Sequence, residues 1–241
     1  ATGQGERLTI PGIPCTFSTF NSRSLRNFFR SVFSAVFLRT GFDILGLTEV
    51  QAGFKDLHSI PALRAYMTQY GFSFWCCSTV GPEGQNCFGQ AGVALMCRRR
   101  PSHAFFGFDK ALKPALDTDT QGRLITLVFL DYVIFHLYVP AKPSQMLEFY
   151  KKLTTHVENT IGTFKLPCIM MGDLNCPFTE EDISDSRPWI QPGVRVDYEP
   201  CRQILRELMA RMDVVDSAGQ RRSKTWFPEP TKRNQDKDIG M

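Results

Sequence analysis

Residues 166–177 read LPCIMMGDLNCP. Cys168, Ile169, Met170 and Met171 form an uninterrupted apolar run, which predicts a strand covered on both faces. The run stops at Gly172 and turns polar, so Asp173 and Asn175 are expected at the mouth of a sheet. Side chains two apart on a strand point the same way, and a carboxylate and a carboxamide so placed can converge on one small target. Asp173 would accept a proton or bind a cation, while Asn175 would donate hydrogen bonds to an oxyanion. The same residues equally describe a strand that leaves its sheet through an Asx-turn, where Asp and Asn bond to the local backbone.

Working outward, residues 144–161 carry apolar side chains at 146, 147, 149, 150, 153, 157 and 161, the spacing of one helix face, and this helix feeds the central strand. Ahead of it, RLITLVFL at 123–130 and residues 133–139 are strands with only Asp131 and Tyr132 between them, a connection that forces an antiparallel hairpin. GVALMC at 92–97, FSFWCCS at 72–78, FDILGLTE at 42–49 and CTFSTFN at 15–21 read as further strands. An amphipathic helix is predicted over 22–39 and another over 57–70, started or kinked at Pro61. Residues 81–89 are a glycine-rich loop. On the other side of the opening stretch, residues 179–198 are a polar loop, 201–212 a helix, Val214–Val215 and Ser223–Phe227 two short strands, and 228–241 a polar tail. Hairpins mixed with helix-separated strands predict an α/β sandwich of mixed sheets with helices outside.

At 43% hydrophobic and 22% charged over 241 residues, the chain can bury a sizeable core and lies far from disordered composition. Its formal charge of +4 is a mild basic bias, compatible with a polyanionic partner without specifying one. The eight cysteines have no regular disulfide spacing and no CxxC pair, the usage of reduced thiols in an intracellular protein. No stretch reaches the ~18 apolar residues of a membrane-spanning helix, so no membrane is expected as partner. Residues 1–14 carry no signal-peptide pattern and read as a leader ahead of a domain over 15–227. A chain that starts without Met and stops at Gly240–Met241 is expected to be a segment of something longer.

The polar residues at strand ends can now be gathered: Asn21, Glu49, Tyr138, Asp173 with Asn175, and Thr225 with Trp226. Ligands and catalytic groups in open α/β sheets collect where strands end. One Glu with Asp and Asn oxygens, and no His or Cys cluster nearby, suits Mg²⁺ (with Mn²⁺ as a substitute) and argues against zinc. A magnesium site of this kind points to phosphate chemistry.

In order and approximate spacing, FNSRSL at 20–25, LGLTEVQ at 45–51, HLYVP at 136–140, GDLNC at 172–176 and KTWF at 224–227 resemble the endonuclease/exonuclease/phosphatase superfamily. They are most similar to the apurinic-endonuclease-like domain of non-LTR (LINE-type) retrotransposons, and AGVAL at 91–95 and QGRLITL at 121–127 are similar to two more of its strands. The resemblance implies a four-layer α/β sandwich and metal-dependent hydrolysis of DNA phosphodiesters by an activated water. It implies a nick from which a reverse transcriptase, following in the same polyprotein, primes synthesis at the 3′-hydroxyl, in an intracellular and nuclear setting. By matching motif, Glu49 would bind the metal with help from Asn21. Asp173 would orient or deprotonate the attacking water, Asn175 would hold the phosphate, and Tyr138 would donate to it or stabilise the leaving group. Asp216 is similar to a structural Asp of the family, and Trp226 would pack near the site.

Blander roles stand beside these. Glu49 could be a solvated strand end, Tyr138 an edge-strand aromatic, Asn21 a helix cap, and the four histidines surface or packing residues. Arg98, Arg99 and Arg100 read either as a solvated basic turn or as a contact to DNA phosphate. One departure from the family stands out: no His follows His156, so the family's closing Ser-Asp-His loop has no counterpart, and the last strand or strands of the second sheet are expected to be missing. The alternatives are a phosphatase or RNA-directed nuclease of the same superfamily, or an inactive remnant that binds nucleic acid or a partner.

Overall fold

The computed structural model describes residues 8–10, 13–22, 24, 25, 28, 42–51, 61–76, 91–108, 122–177 and 197–212. In chain order these form β1 (Leu8–Ile10), β2 (Ile13–Asn21), β3 (Ile44–Thr48), α1 (Pro61–Tyr70), β4 (Phe72–Cys76), β5 (Val93–Cys97), β6 (His103–Phe106), β7 (Leu124–Val128), β8 (Val133–Tyr138), α2 (Pro143–Phe164), β9 (Cys168–Asp173) and α3 (Glu199–Arg211). The strands make a five-stranded sheet of order β1-β2-β3-β5-β4 and a four-stranded sheet of order β6-β7-β8-β9. The pairs β2 with β3 and β8 with β9 are parallel, and the rest are antiparallel.

β3, β5, β7 and β8 read as apolar runs because they are covered on both faces. Ile44, Val93, Leu95, Ile125, Leu127 and Ile134 meet between the sheets. The alternate residues Leu45, Leu47, Ala94 and Met96 face Leu63 of α1 together with Leu25 and Phe28. Val133, Phe135 and Leu137 of the second sheet face Met146, Tyr150 and Leu153 of α2 and Leu205 and Leu208 of α3. The layers therefore run helix, sheet, sheet, helix, the mixed-sheet α/β sandwich expected from the sequence. Pro143 starts α2, where its missing N–H is no loss, and Lys165 ends it in the left-handed conformation at φ 52°.

Several expectations change. The strand at 168–173 is an edge of the described sheet rather than its centre: Ile169 and Met171 pack between the sheets and Cys168 and Met170 against the helices, yet every residue of β9 stays half-buried. Two strands, β1 and β6, were not foreseen. Each is short and takes its shape from pairing, β1 with β2 and β6 with β7. The second helix starts at Pro61 and is described only from there. For the helix expected over 22–39, the Phe28 N–H bonds to the Ser24 carbonyl at 3.0 Å in helical fashion, and most of the remainder lies outside the described residues. Also outside them lie the 81–89 loop, nearly all of 179–198, the strands at 214–215 and 223–227 with Asp216, Thr225 and Trp226, and the 228–241 tail. Among the described residues, no helix is long and apolar enough to cross a membrane.

Candidate active site

The C-terminal ends of β2, β3, β8 and β9 lie at one end of the sandwich because each sheet contributes a parallel pair, with Asn21 in register with Thr48 and Tyr138 in register with Asp173. Strand alternation would send Glu49 to the face opposite Thr48. Instead Glu49 turns left-handed, φ 50°, as does Gln51 at 48°. Such a conformation strains a residue with a Cβ by ~1–3 kcal/mol and persists only where neighbours over-determine it. Here the Ser24 N–H bonds to the Glu49 carbonyl and the Leu25 N–H to the Val50 carbonyl, both at 2.9 Å. The Val50 and Gln51 N–H groups bond to the Gly92 and Ala91 carbonyls, and the Ser22 hydroxyl donates to the Thr48 and Glu49 carbonyls.

The turn carries the Glu49 carboxylate into a bonded cluster. Asn21 Nδ2 donates to Glu49 Oε1 at 2.9 Å and to Asp173 Oδ2 at 3.3 Å, so one amide bridges two carboxylates from different sheets. Tyr138 donates its hydroxyl to the same Glu49 Oε1 at 3.2 Å. Burial, followed by the charge of Glu49, pushes the Tyr138 phenol up to about 12, so it is a proton donor and never a base near neutral pH. Arg123 caps this side chain, its guanidinium 4.8 Å from the ring centroid and its Nη1 3.2 Å from the Tyr138 carbonyl.

Asp173 is held from its own strand end. The Asn175 N–H donates to Asp173 Oδ1 at 3.1 Å, which is the Asx-turn, while Asn175 itself is left-handed at φ 49°. Both readings of the Asp–Asn pair are therefore realised: the local turn exists, and Asp173 still reaches the cluster. The Asn175 carboxamide, however, donates to the Val139 carbonyl at 2.7 Å rather than joining Asp173 at a common target. Its position past the strand end, out of strict alternation, is the physical reason. Two buried side chains invisible as site residues in the sequence support this segment from the helices: the Tyr150 hydroxyl of α2 donates to the Leu174 carbonyl at 2.8 Å, and Arg202 Nε of α3 donates to the Pro177 carbonyl at 2.7 Å.

Asn21, Glu49, Tyr138 and Asp173 are thus brought into one bonded group, with Asn175 attached through its N–H. The basic turn is not there. Val93 pairs with Thr48 and Cys97 with Ile44, so Arg98, Arg99 and Arg100 follow the end of β5 farthest from Glu49. They stand exposed, and Arg99 pairs with Asp131 at 3.0 Å. That position favours the solvated-turn reading over a contact to DNA at the cluster.

A hard divalent cation fits this donor set. Two carboxylates sharing one amide hydrogen-bond donor repel each other, and a cation between them would relieve that. Thr48 points the same way: in register beside Asn21 and 1% exposed, it has an Oγ1 with no partner among the described residues. A buried hydroxyl left unbonded is destabilising by ~1–3 kcal/mol, which a bound water or ligand would offset. Glu49 would hold the ion, with Asp173 beside it, reaching the ion directly or through one of its waters. Asn21 presents its amide nitrogen to both acids and would help by orienting them. Among the described residues no group of three or more His, Cys, Asp or Glu side chains gathers, so the remaining ligands would be water or substrate oxygens.

The chain belongs to the Endonuclease/Exonuclease/phosphatase family, whose sequence model matches residues 18–198 and so spans the whole cluster. It is 28% identical over 149 residues to the DNA repair nuclease APEX1 of Danio rerio, covering 60% of this chain and 44% of that protein. It is 29% identical over 117 residues to DNA-(apurinic or apyrimidinic site) endonuclease 2 of Schizosaccharomyces pombe, covering 45% of this chain and 22% of that one. The chain therefore spans less than half the length of these curated relatives. Among solved structures, its fold is similar to the 3′ phosphatase NExo from Neisseria bound to product DNA hairpin (TM-score 0.65, 21% identity, 91% of this chain and 80% of that one). It is also similar to an AP endonuclease from Archaeoglobus fulgidus (TM-score 0.57, 21% identity, 81% and 70% covered).

Proposed function

We propose that this chain is a divalent-metal-dependent DNA endonuclease that hydrolyses phosphodiester bonds, using Mg²⁺ or Mn²⁺. The observation that carries the proposal is the single amide of Asn21 bonded to two carboxylates, Glu49 and Asp173, from opposite sheets. When bound, the cation would offset charge developing on the phosphoryl oxygens. Tyr138, protonated at any physiological pH, donates a hydrogen bond to the phosphate or the leaving oxygen. Asp173 orients the attacking water and takes its proton, with Asn175 N–H fixing the carboxylate. In this reading Asn175, one amide hydrogen held by the Val139 carbonyl, uses the other to bond a phosphate oxygen.

The finer role proposed is the nicking of nuclear target DNA so that a reverse transcriptase, joined to this domain in a longer polyprotein, extends the freed 3′-hydroxyl. It is supported by the resemblance of the motifs at 20–25, 45–51 and 172–176 to LINE-type endonuclease domains. Supercoiled plasmid incubated with the chain should be converted to open circles with Mg²⁺ and not with EDTA, and a DNA polymerase should extend the nicks without prior end repair. Intact plasmid under both conditions would overturn the endonuclease proposal. Nicks that need a phosphatase before extension would overturn the priming role.

A further inference from the structure

His136 lies on the inward face of β8 and is fully buried between the sheets. Its ring rests against Gly46 of β3, in the other sheet, so closely that a Cβ on Gly46 would stand 2.6 Å from Cε1 and 2.8 Å from Nδ1. Gly46 is in mid-strand, paired with Thr19 and Leu95, where glycine otherwise weakens a strand and marks a close approach. The space it leaves is the space the imidazole fills.

Each ring nitrogen faces a backbone carbonyl, and the two carbonyls come from different sheets. Nε2 is 3.0 Å from the Leu47 oxygen and Nδ1 is 3.3 Å from the Met171 oxygen. Leu47 lies two residues before Glu49, and Met171 two residues before Asp173. A ring hydrogen bond on one side and the backbone pairing of β8 with β9 on the other therefore connect the two strands whose ends carry the cluster's acids. Beside Met171 the backbone bends at Gly172, φ 129°, where any Cβ would run into the Leu137 carbonyl oxygen. Burial lowers the His136 pKa to about 4, so near pH 7 the ring is neutral and carries a single N–H, which donates to one carbonyl only; the shorter contact, Nε2 to the Leu47 oxygen at 3.0 Å, takes it. A leucine would fill the same volume without desolvating a polar ring. What hydrogen bonds add is direction: they fix how far one strand slides past the other, which packing contacts leave soft.

We propose that His136 is a positioning residue that sets the separation of Glu49 and Asp173: from β8, in backbone register with Met171 of β9, its ring donates across to the Leu47 carbonyl of β3, with Gly46 leaving the space that admits the ring. The inference rests on the phosphodiesterase proposal for that cluster and adds the element that spaces its acids. Misplacement of such groups by ~1 Å typically lowers rate by ~10²-fold.

The 241-residue chain tests this with Mn²⁺ binding followed by electron paramagnetic resonance, alongside Mg²⁺-dependent nicking. His136→Leu should weaken Mn²⁺ binding by ~10-fold and lower kcat by ~10–10²-fold, with KM for DNA changed less than about twofold. His136→Gln, which keeps a donor, should recover most of both losses. Gly46→Ala should reproduce the losses although His136 is still present. A His136→Leu chain with parental near-ultraviolet circular dichroism, Mn²⁺ affinity and kcat overturns the proposal. Should the substituted chains fail to fold, the parent decides by itself: the His136 ring ¹⁵N resonances should shift when Mg²⁺ is added, and unmoved resonances in a chain that binds Mg²⁺ overturn it. A parent that neither binds Mn²⁺ nor nicks DNA removes the phosphodiesterase proposal and the positioning role together, whereas a parent that does both, matched by His136→Leu, removes the positioning role alone.

Discussion

At the ends of β2, β3, β8 and β9, Asn21, Glu49, Tyr138 and Asp173 bond to one another, while at the other end of the same sheets Arg98, Arg99 and Arg100 stand exposed beside Asp131. Both ends carry charge. At the first, two acids share a donor, and the backbone is turned left-handed at Glu49 and Asn175 and held there by neighbours. At the second, an acid and a base of opposite sign satisfy each other, 40% and 43% exposed, an arrangement worth ~0–1 kcal/mol in water. Charge at a strand end therefore does not mark a site. Two acids from different sheets that share one donor, on backbone held left-handed by its neighbours, are what distinguish the first end.

The largest test of this contrast sets one end against the other in the same assay. Glu49→Ala is expected to reduce Mg²⁺-dependent plasmid nicking by ~10³-fold, the loss typical of removing a metal-binding or acid–base group. Arg99→Ala, at the far end, should leave nicking within about twofold. Equal losses would erase the distinction between the ends.

A second test separates the scaffold from both ends. Burial holds His136 and His156 at about 4, below the ordinary 6.5, so both are neutral when folded and take up a proton on unfolding in mild acid. Their contribution is intact above pH 6.5 and is lost as pH falls from 6.5 toward 4, by ~3 kcal/mol for each ring. Urea unfolding at pH 7 and pH 4 should register that fall, and His136→Leu should remove about half of it. An unchanged slope in His136→Leu would mean that the ring is not buried neutral.

Next in size is Tyr138→Phe, expected to lower kcat by ~10²-fold as the loss of one phosphate donor. Because the phenol titrates at about 12, the parent's rate should show no fall from Tyr138 between pH 7 and 10. A kcat for Tyr138→Phe equal to the parent's would assign the hydroxyl to holding Glu49 and nothing more. The smallest effect belongs to the far end again: Arg99→Ala should change unfolding free energy by less than ~0.5 kcal/mol. A larger loss would show that the exposed pair is structural.

Much of the layering was legible because apolar periodicity is local. The helices α2 and α3 and the strands β2, β3, β5, β7, β8 and β9 follow from spacing, and strand-end position brought Asn21, Glu49, Tyr138 and Asp173 to notice. What was not legible depends on distant partners. β1 and β6 exist by pairing; the edge position of β9 depends on what pairs beside it; and the left-handed turn at Glu49 depends on Ser22, Ser24 and the 91–92 backbone. His136 read as a packing residue, since nothing within HLYVP indicates that Gly46, ninety positions earlier by sequence, is opposite its ring. Tyr150 was read only as a member of a helix face and Arg202 only as part of a helix, although their polar atoms support the 174–177 segment.

The most direct measurement is anomalous diffraction from crystals of the chain grown with Mn²⁺. The account predicts a single strong manganese peak within bonding distance, ~2.0–2.4 Å, of a Glu49 carboxylate oxygen, with Asp173 bonded to the ion or to one of its waters. Full occupancy of Mn²⁺ elsewhere, with Glu49 and Asp173 still bridged by Asn21 and no peak between them, would contradict it.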